Sequence, residues 1–188
     1  MDLPWGDPRS TQFITNVGLI TSDGPNGPDI MSSEWTHHIS YSPGLLAVCI
    51  RPGGATHENI RSSKEFGVSI AATDQNVMAS VAGTNKGKEV DKIAALQELG
   101  FKFRPAKQIN ALMVEGAVLN IECRLKQELA LGSHTVFVGE AVEATLNPGK
   151  KPLAYHAGQF WRLTEAIAKP GPTELERIAK TVAAHQRK

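Results

Sequence analysis

Apolar and polar positions alternate along much of this chain, and turn-forming residues interrupt the alternation at short intervals. Residues 12–21 are rich in β-branched side chains and bounded by turns, which predicts a strand. The cluster Asp23, Gly24, Pro25, Asn26, Gly27 and Pro28 then forces a chain reversal. A second strand with an irregular first half is expected over residues 29–40. The run Leu45, Leu46, Ala47, Val48, Cys49, Ile50 is apolar throughout, so it should be a strand covered on both faces. Thr56 is placed to cap a short helix through Lys64, with Ile60 on its inner side. Residues 66–72 read as the next strand, and Asp74 as the cap of a helix through Ala82.

A loop with two lysines follows over residues 83–88. In residues 89–99, Val90, Ile93, Ala94 and Leu96 recur at helical spacing, and Gly100 stands at the stop. Residues 101–109 are irregular. Residues 112–125 alternate but slip in phase at Val118 and Leu119, which predicts a β-bulge. Residues 134–145 alternate cleanly and should pair with them in a long hairpin around residues 128–133. Residues 153–163 form a last aromatic strand, continuous or broken. Beyond Pro170 and Pro172, Thr173 and Glu176 have capping-box spacing, and Leu175, Ile178, Ala179 and Val182 share one helix face.

Six to seven strands with short helices between them argue against a doubly wound sheet. They predict a mainly β chain, a closed or nearly closed antiparallel barrel with a C-terminal helix. One domain should span residues 1–188, with its core over about 12–163 and the closing helix over 170–188.

Composition narrows the function by exclusion. Apolar content of 41% and charged content of 21% are ordinary for a globular chain. A net charge of +1 gives no electrostatic reason to expect nucleic acid or an anionic membrane as partner. No apolar run approaches the ~20 residues of a membrane span. The polar, proline-rich first ten residues do not read as a signal peptide. Cys49 and Cys123 lie in apolar runs, as buried reduced thiols of a cytoplasmic protein would. Metal-ligand spacings such as HExxH and CxxC are missing, and His37 and His38, neighbours on a strand, face opposite sides. No metal is therefore expected. A G-x-S-x-G elbow is missing as well, so a hydrolytic triad is unsupported.

Chemistry concentrates instead between residues 29 and 59. Hydroxyls (Ser32, Ser33, Thr36, Ser40), Trp35 and two histidines precede the apolar run at 45–50. Arg51, then Pro52, Gly53 and Gly54, then Thr56, His57, Glu58 and Asn59 follow it. Polar groups thus gather at the ends of apolar strands. Met31, Ser32, Trp35, Pro43, the 45–50 run, Arg51 and Thr56 together resemble the flavin reductase-like family, the FMN-binding split barrels that include flavoredoxins. Three later stretches are similar to features of that family in the same order. They are Thr84 to Lys88 with Asp91 and Lys92, Gly132 to Thr135 followed by Phe137 to Glu140, and Tyr155 to Trp161.

The resemblance implies a Greek-key split barrel that binds FMN and takes hydride from NAD(P)H. Electrons would pass on to free flavin, a ferric chelate or another acceptor. The alternative within the family is a flavoredoxin-like carrier reduced by a redox protein partner, without direct nicotinamide use. A homodimer with flavin near the subunit interface is implied too. A flavin phosphate needs charge and donors. Arg51 offers a bidentate fork, and Thr56 with the amides opening its helix offers more. From spacing alone, Thr56 reads first as a helix cap and Arg51 as a solvated strand end. Ser32, Ser33 and Thr36 suit the ring edge or ribityl hydroxyls, or simply the outer face of a strand. Trp35 suits the ring wall, or packing. The resemblance adds Met31, Ser40, Ile50, His57, Asn59, Asn85, Lys86, Lys88 and His156 to the cofactor site, and His134 as a nicotinamide-positioning residue. No side chain is required as general acid or base. Three departures stand out: Asp29 where Asn is common, Glu34 where Ser or Thr is common, and Ser133 where Asp is common. Glu34 should point away from an anionic cofactor or contact a ring imide.

Overall fold

The computed structural model describes residues 1–186. Val17 divides the first expected strand in two, so that one segment serves two sheets. β1 (Thr15–Asn16) pairs with a strand near the C-terminus, and β2 (Gly18–Ser22) enters the main sheet. The turn after β2 returns the chain antiparallel as β3 (Asp29–Ser33), with Ile20 opposite Met31. The expected second strand also divides, at Glu34 and Trp35, and continues as β4 (Thr36–Tyr41). β5 (Gly44–Ile50) pairs with β4, and α1 (Ala55–Ser63) follows. Then come β6 (Glu65–Ile70), α2 (Asn76–Thr84), α3 (Lys92–Glu98), and the small ribbon of β7 (Phe103–Pro105) and β8 (Leu112–Val114). The long hairpin is β9 (Leu119–Leu131) and β10 (His134–Leu146), and the chain closes with β11 (Leu153–His156), β12 (Gln159–Arg162) and α4 (Pro172–Ala184).

The main sheet has seven strands in the order β3-β2-β6-β9-β10-β5-β4, each pair antiparallel. Its two edge strands, β3 and β4, are consecutive in the chain, so the sheet curls until its ends meet at Ser33 to Thr36. The meeting is tight. A Cβ on Gly18 would overlap the side chain of Thr36, and Asn16 Nδ2 donates to the Thr36 carbonyl at 2.8 Å. The result is the mainly β antiparallel barrel with short helices and a C-terminal helix that the alternation predicts. A three-stranded sheet, β1-β11-β12, is stitched to its end through Val17, Ala71 and Leu153.

Burial explains which strands are doubly covered. Ile20, Leu46, Val48, Ile50, Ile60, Phe66, Val68, Cys123 and Phe137 fill one core, inside the barrel. Leu19 and Ile30 face a second core with Met78, Ala79, Ala82, Ile93 and Leu96 from α2 and α3. All five residues of β2 are therefore buried. β5, expected to be covered on both sides, is not: Leu46, Val48 and Ile50 are buried, whereas Leu45, Ala47 and Cys49 are only partly covered.

Helix starts differ from the sequence expectation in a consistent way. Gly54, Gln75 and Gly171 take the N-cap positions expected of Thr56, Asp74 and Thr173, and none supplies a side-chain cap. Pro172 accounts for the last shift, because its fixed φ suits the first helical position. In α3 the helix begins late, at Lys92, because Asp91 caps it by accepting from the Ala94 amide at 3.0 Å. The slip at Val118 is a break between β8 and β9, not a bulge. The bulges lie further on, between Val138 and Gly139 and between Ala141 and Glu143. The hairpin turn is shorter than expected, Gly132 and Ser133 alone. The closing helix keeps its apolar face, but Leu175, Ile178 and Val182 are 53%, 41% and 60% exposed. Residues 187–188 of the expected helix lie outside the described residues.

If the contact of Gly18 with Thr36 closes the barrel, Gly18→Ala should lower stability by roughly 1–3 kcal/mol in urea unfolding, the usual cost of overpacking. An unchanged midpoint would show that the seam has slack.

Candidate functional site

Three chain segments converge where the sheet ends meet. The Cys49 amide donates to the Trp35 carbonyl at 3.0 Å, holding the β3–β4 corner beside the end of β5. Ile50 stands opposite Thr135, so the start of β10 lies beside the same end. His134 consequently reaches Trp35, with ring centroids 4.7 Å apart and planes tilted by 48°. Ser133 Oγ and His134 Nδ1 are 2.8 Å apart, so a hydroxyl orients the imidazole. Partial burial and the neighbouring Arg51 guanidinium both hold the His134 pKa below its ordinary value.

Arg51 itself is exposed and makes no hydrogen bond or ion pair among the described residues. Pro52, Gly53 and Gly54 carry the chain from it to α1, whose first turn has no side-chain cap. A cation and an uncapped helix start, a few residues apart, favour an anion in the same place.

Behind α1 lies a charged pair excluded from water. Lys92 Nζ is 3.1 Å from Asp29 Oδ1, with the two side chains 3% and 4% exposed. Thr56 Oγ1 donates to Asp29 Oδ2 at 2.6 Å. Gly87 passes so close to the carboxylate that a Cβ there would collide with it. One carboxylate thus ties β3, α1, α3 and the lysine-bearing loop together. The carboxylate at Asp29 supplies the charged partner that offsets the buried ammonium.

The expected cofactor residues divide into those free to meet a ligand and those used by the fold. Trp35 (48% exposed), Arg51 and His134 form the open cluster. Met31 and Ser32 are partly exposed on β3, and Gly83 of α2 packs against Ser32. Ser33 and Thr36 are buried at the corner, where Thr36 Oγ1 donates to the Ser33 carbonyl at 3.3 Å. Ile50 is a core residue. Thr56 spends its hydroxyl on Asp29 and is not the helix cap. His57 is buried between α1 and β10, with Nε2 2.9 Å from Thr135 Oγ1 and its ring against Phe137. Burial keeps its pKa low, with help from Arg61. Asn59 pins the 23–28 turn, accepting from the Asn26 amide and donating to the Gly27 carbonyl. Ser40 sits near the far end of β4, opposite Leu45, roughly 13 Å from Thr36 along the strand. It does not join the cluster.

The loop lysines are paired on the surface. Lys86 meets Glu89 at 3.0 Å and Lys88 meets Glu58 at 2.6 Å, while Asn85 Nδ2 donates to the Val81 carbonyl. Lys88 and Asn26 together hold the Glu58 carboxyl below its usual pKa. His156 lies on β11, against Trp161. Glu34, at the corner, is held by Trp5 Nε1 at 3.3 Å, and together with burial it raises the Tyr155 pKa. Sequence patterning gave no signal for Asn16 or Trp5 as parts of this region. Asn16 lies in an expected strand and Trp5 in an expected irregular arm, while Lys92 enters only through the resemblance, together with Asp91. No group of three or more His, Cys, Asp or Glu is placed to hold a metal among the described residues. No described helix is long and apolar enough to cross a membrane.

Comparison with known proteins gives one consistent match. The pattern of the flavin reductase like domain covers residues 10–164. The chain is 30% identical over 138 residues to a ferric-chelate reductase (NAD(P)H) of Archaeoglobus fulgidus, covering 73% of this chain and 79% of the relative. It is 26% identical over 152 residues to an NADH-dependent FAD reductase of Streptomyces globisporus, covering 80% of each. The flavoredoxin of Desulfovibrio vulgaris (Miyazaki F) superposes with a TM-score of 0.76 at 22% identity, over 93% of this chain and 100% of that one, and so shares the fold.

Lys92→Met should destabilise by about 3–5 kcal/mol, because it leaves Asp29 buried and uncompensated. Adding Asp29→Asn should recover much of the loss in the same denaturation assay. Simple additivity of the two would show that the pair is not coupled.

Proposed function

The chain belongs to the flavin reductase-like family, and from that premise we propose that it binds FMN and transfers hydride from NAD(P)H to an acceptor such as free flavin or a ferric chelate. The observation that carries this reading is the unpaired Arg51 guanidinium beside the uncapped start of α1, with Trp35 and His134 alongside. A terminal phosphate monoester suits that anion site, and a planar ring suits the aromatic corner. The bound flavin supplies the hydride and electron chemistry. The chain's own residues anchor, orient and screen. Arg51 and the first amides of α1 hold the phosphate. Trp35 walls the ring, and Ser32 and Met31 lie along its approach. His134, kept neutral, meets the nicotinamide without repelling its oxidised, cationic ring. Glu34 is engaged by Trp5, which turns a carboxylate away from an anionic cofactor.

A second copy of this chain fits the remaining exposed apolar surface. The partly covered side of β5 (Leu45, Ala47, Cys49) adjoins Trp35 and the exposed, bulged Ile39 of β4. α4 presents Leu175, Ile178 and Val182, none of them buried. A homodimer would bury these faces and shelter the corner from water.

An absorption spectrum of the purified protein, followed by anaerobic NADH and then NADPH, tests the reading. Flavin bands that bleach with a nicotinamide are expected. A yellow protein inert to both donors would favour a carrier reduced by a protein, and failure to take up FMN would overturn the proposal. Arg51→Ala should weaken FMN binding by about 1.5–3 kcal/mol, the range for hydrogen bonds to charged groups. The same variant should raise the His134 pKa measured by NMR. Removing a neighbouring positive charge makes the imidazole easier to protonate, so an unmoved midpoint would separate the two residues. Light scattering should give a dimer mass, and Ile178→Glu with Val182→Glu should shift it toward monomer; a monomeric wild type would leave α4 without its proposed cover.

A further inference from the structure

Four buried side-chain polar atoms have no partner among the described residues, and two of them, on Asn16 and His156, lie on one face of the sheet beside the corner. Asn16 lies opposite Ala154 in the pairing of β1 with β11, and His156 is two residues beyond Ala154. Side chains alternate along a strand, so Asn16 and His156 lie on the same sheet face as diagonal neighbours, with Cα atoms roughly 7–8 Å apart. Trp161 stands opposite Ala154 on that face, with its ring 6.3 Å from the His156 ring and Nε1 donating to the His156 carbonyl at 3.0 Å. The Asn16 amide orientation is set by chemistry. Nδ2 must face the Thr36 carbonyl 2.8 Å away, because a carbonyl only accepts, so Oδ1 is turned elsewhere. Asn16 Oδ1 and His156 Nδ1 are both buried and unbonded. Leaving either so is unfavourable, and such a group in a native fold calls for an explanation.

We propose that Asn16 Oδ1 and His156 Nδ1 together hold the amide edge of a ring ligand at this corner, either the imide edge of the flavin or the carboxamide of the nicotinamide. Asn16 Oδ1 accepts only, so the ligand must present a donor to it, and on the edge of a planar ring of this class that donor is an N–H. His156 Nδ1 donates or accepts according to its tautomer and can meet the adjacent carbonyl. An N–H beside a C=O is the signature of an amide or imide. A carboxylate or phosphate would set lone pairs against Oδ1, and a hydrocarbon would leave both atoms unsatisfied. Thr36 places the pair at the working end of the barrel, because its carbonyl holds Asn16 while the residue before it is Trp35. Trp161 closes the outer side. Asn16 is thereby a positioning residue with two functions, one arm of its amide fixing the barrel seam and the other reading the ligand.

The inference rests on the flavin reductase reading, and its test separates the two. FMN affinity is measured by fluorescence quenching, and NADH is followed as separate KM and kcat values, in wild type, His156→Phe and His156→Asn. His156 Nδ1 bonds nothing in the fold, so these variants should fold; Asn16→Leu is added if its melting temperature is retained. His156→Phe is expected to weaken one ligand roughly three- to tenfold, the scale of one neutral hydrogen bond. Asn, which carries a polar atom near the Nδ1 position, should restore most of that loss. The ligand's own edge identifies the source. If the flavin is read, 3-methyl-FMN should bind wild type as weakly as FMN binds His156→Phe, with no further loss in the variant. If nicotinamide is read, the reduced nicotinic acid analogue of NADH should show that pattern in KM. Wild-type flavin binding with both ligands unmoved in His156→Phe would overturn this proposal and leave the functional reading intact. Equal losses for blocked and unblocked ligands would overturn it as well. A wild type that binds no flavin would remove both.

Discussion

A single buried ion pair sets the frame in which everything else at the site is placed. Removing an ammonium and a carboxylate from water is unfavourable by several kcal/mol each, and the attraction between them offsets this only with good geometry and further hydrogen bonds. Asp29 meets both conditions, with Lys92 on one oxygen and the Thr56 hydroxyl on the other. The three residues belong to β3, α3 and the first turn of α1. Fixing them fixes the direction in which α1 presents its start, and hence where an anion is attracted. Gly87 belongs to the same constraint, since the loop can run against the carboxylate only without a side chain. Lys86 and Lys88 are then drawn to nearby carboxylates, which leaves Arg51 as the open cation beside the helix start.

Closure of the barrel is the second constraint, and it depends on the first strand dividing at Val17. Before the division the chain pairs with β11, and after it with β3 and β6. That change of partner brings Asn16 against Thr36 and lets the two edge strands share one corner. An open pair of edges would present unpaired backbone groups to other chains. Here the edges are consecutive in sequence, and the corner between them carries Glu34 and Trp35. The site is therefore built on the place where the fold closes.

The alternation of side chains made the strands, the long hairpin and the C-terminal helix legible, because burial on one face leaves a period of two and a helix a period near four. The same reasoning failed where a polar group is buried for a tertiary reason. Thr56 before a helix looks like a cap, yet its hydroxyl is taken by a carboxylate 27 positions earlier. Gly54 takes the cap position instead, and nothing local distinguishes those alternatives. Residues 45–50 look doubly covered because all six are apolar, but only one side meets this chain's core. The resemblance located Trp35, Arg51 and His134, which the fold brings together. It also marked His57 and Asn59, whose side chains are spent on a histidine–threonine contact and on a turn. Pattern gives position along the chain, and only the fold shows which side chains are already engaged.

Charge is distributed at the corner so that few groups remain available there. Glu58 is satisfied by Lys88 and Asn26, Glu34 by Trp5, and Asp29 by Lys92 and Thr56. Each acid that would repel an anionic ligand already holds a donor. Arg51, without such a partner among the described residues, adds to burial in holding the His134 pKa below its ordinary value. Moving that guanidinium would alter both the anion site and the ring beside it. Under the proposed reading, the cation that would anchor the cofactor is thus also one of two influences on the imidazole beside it, burial being the other.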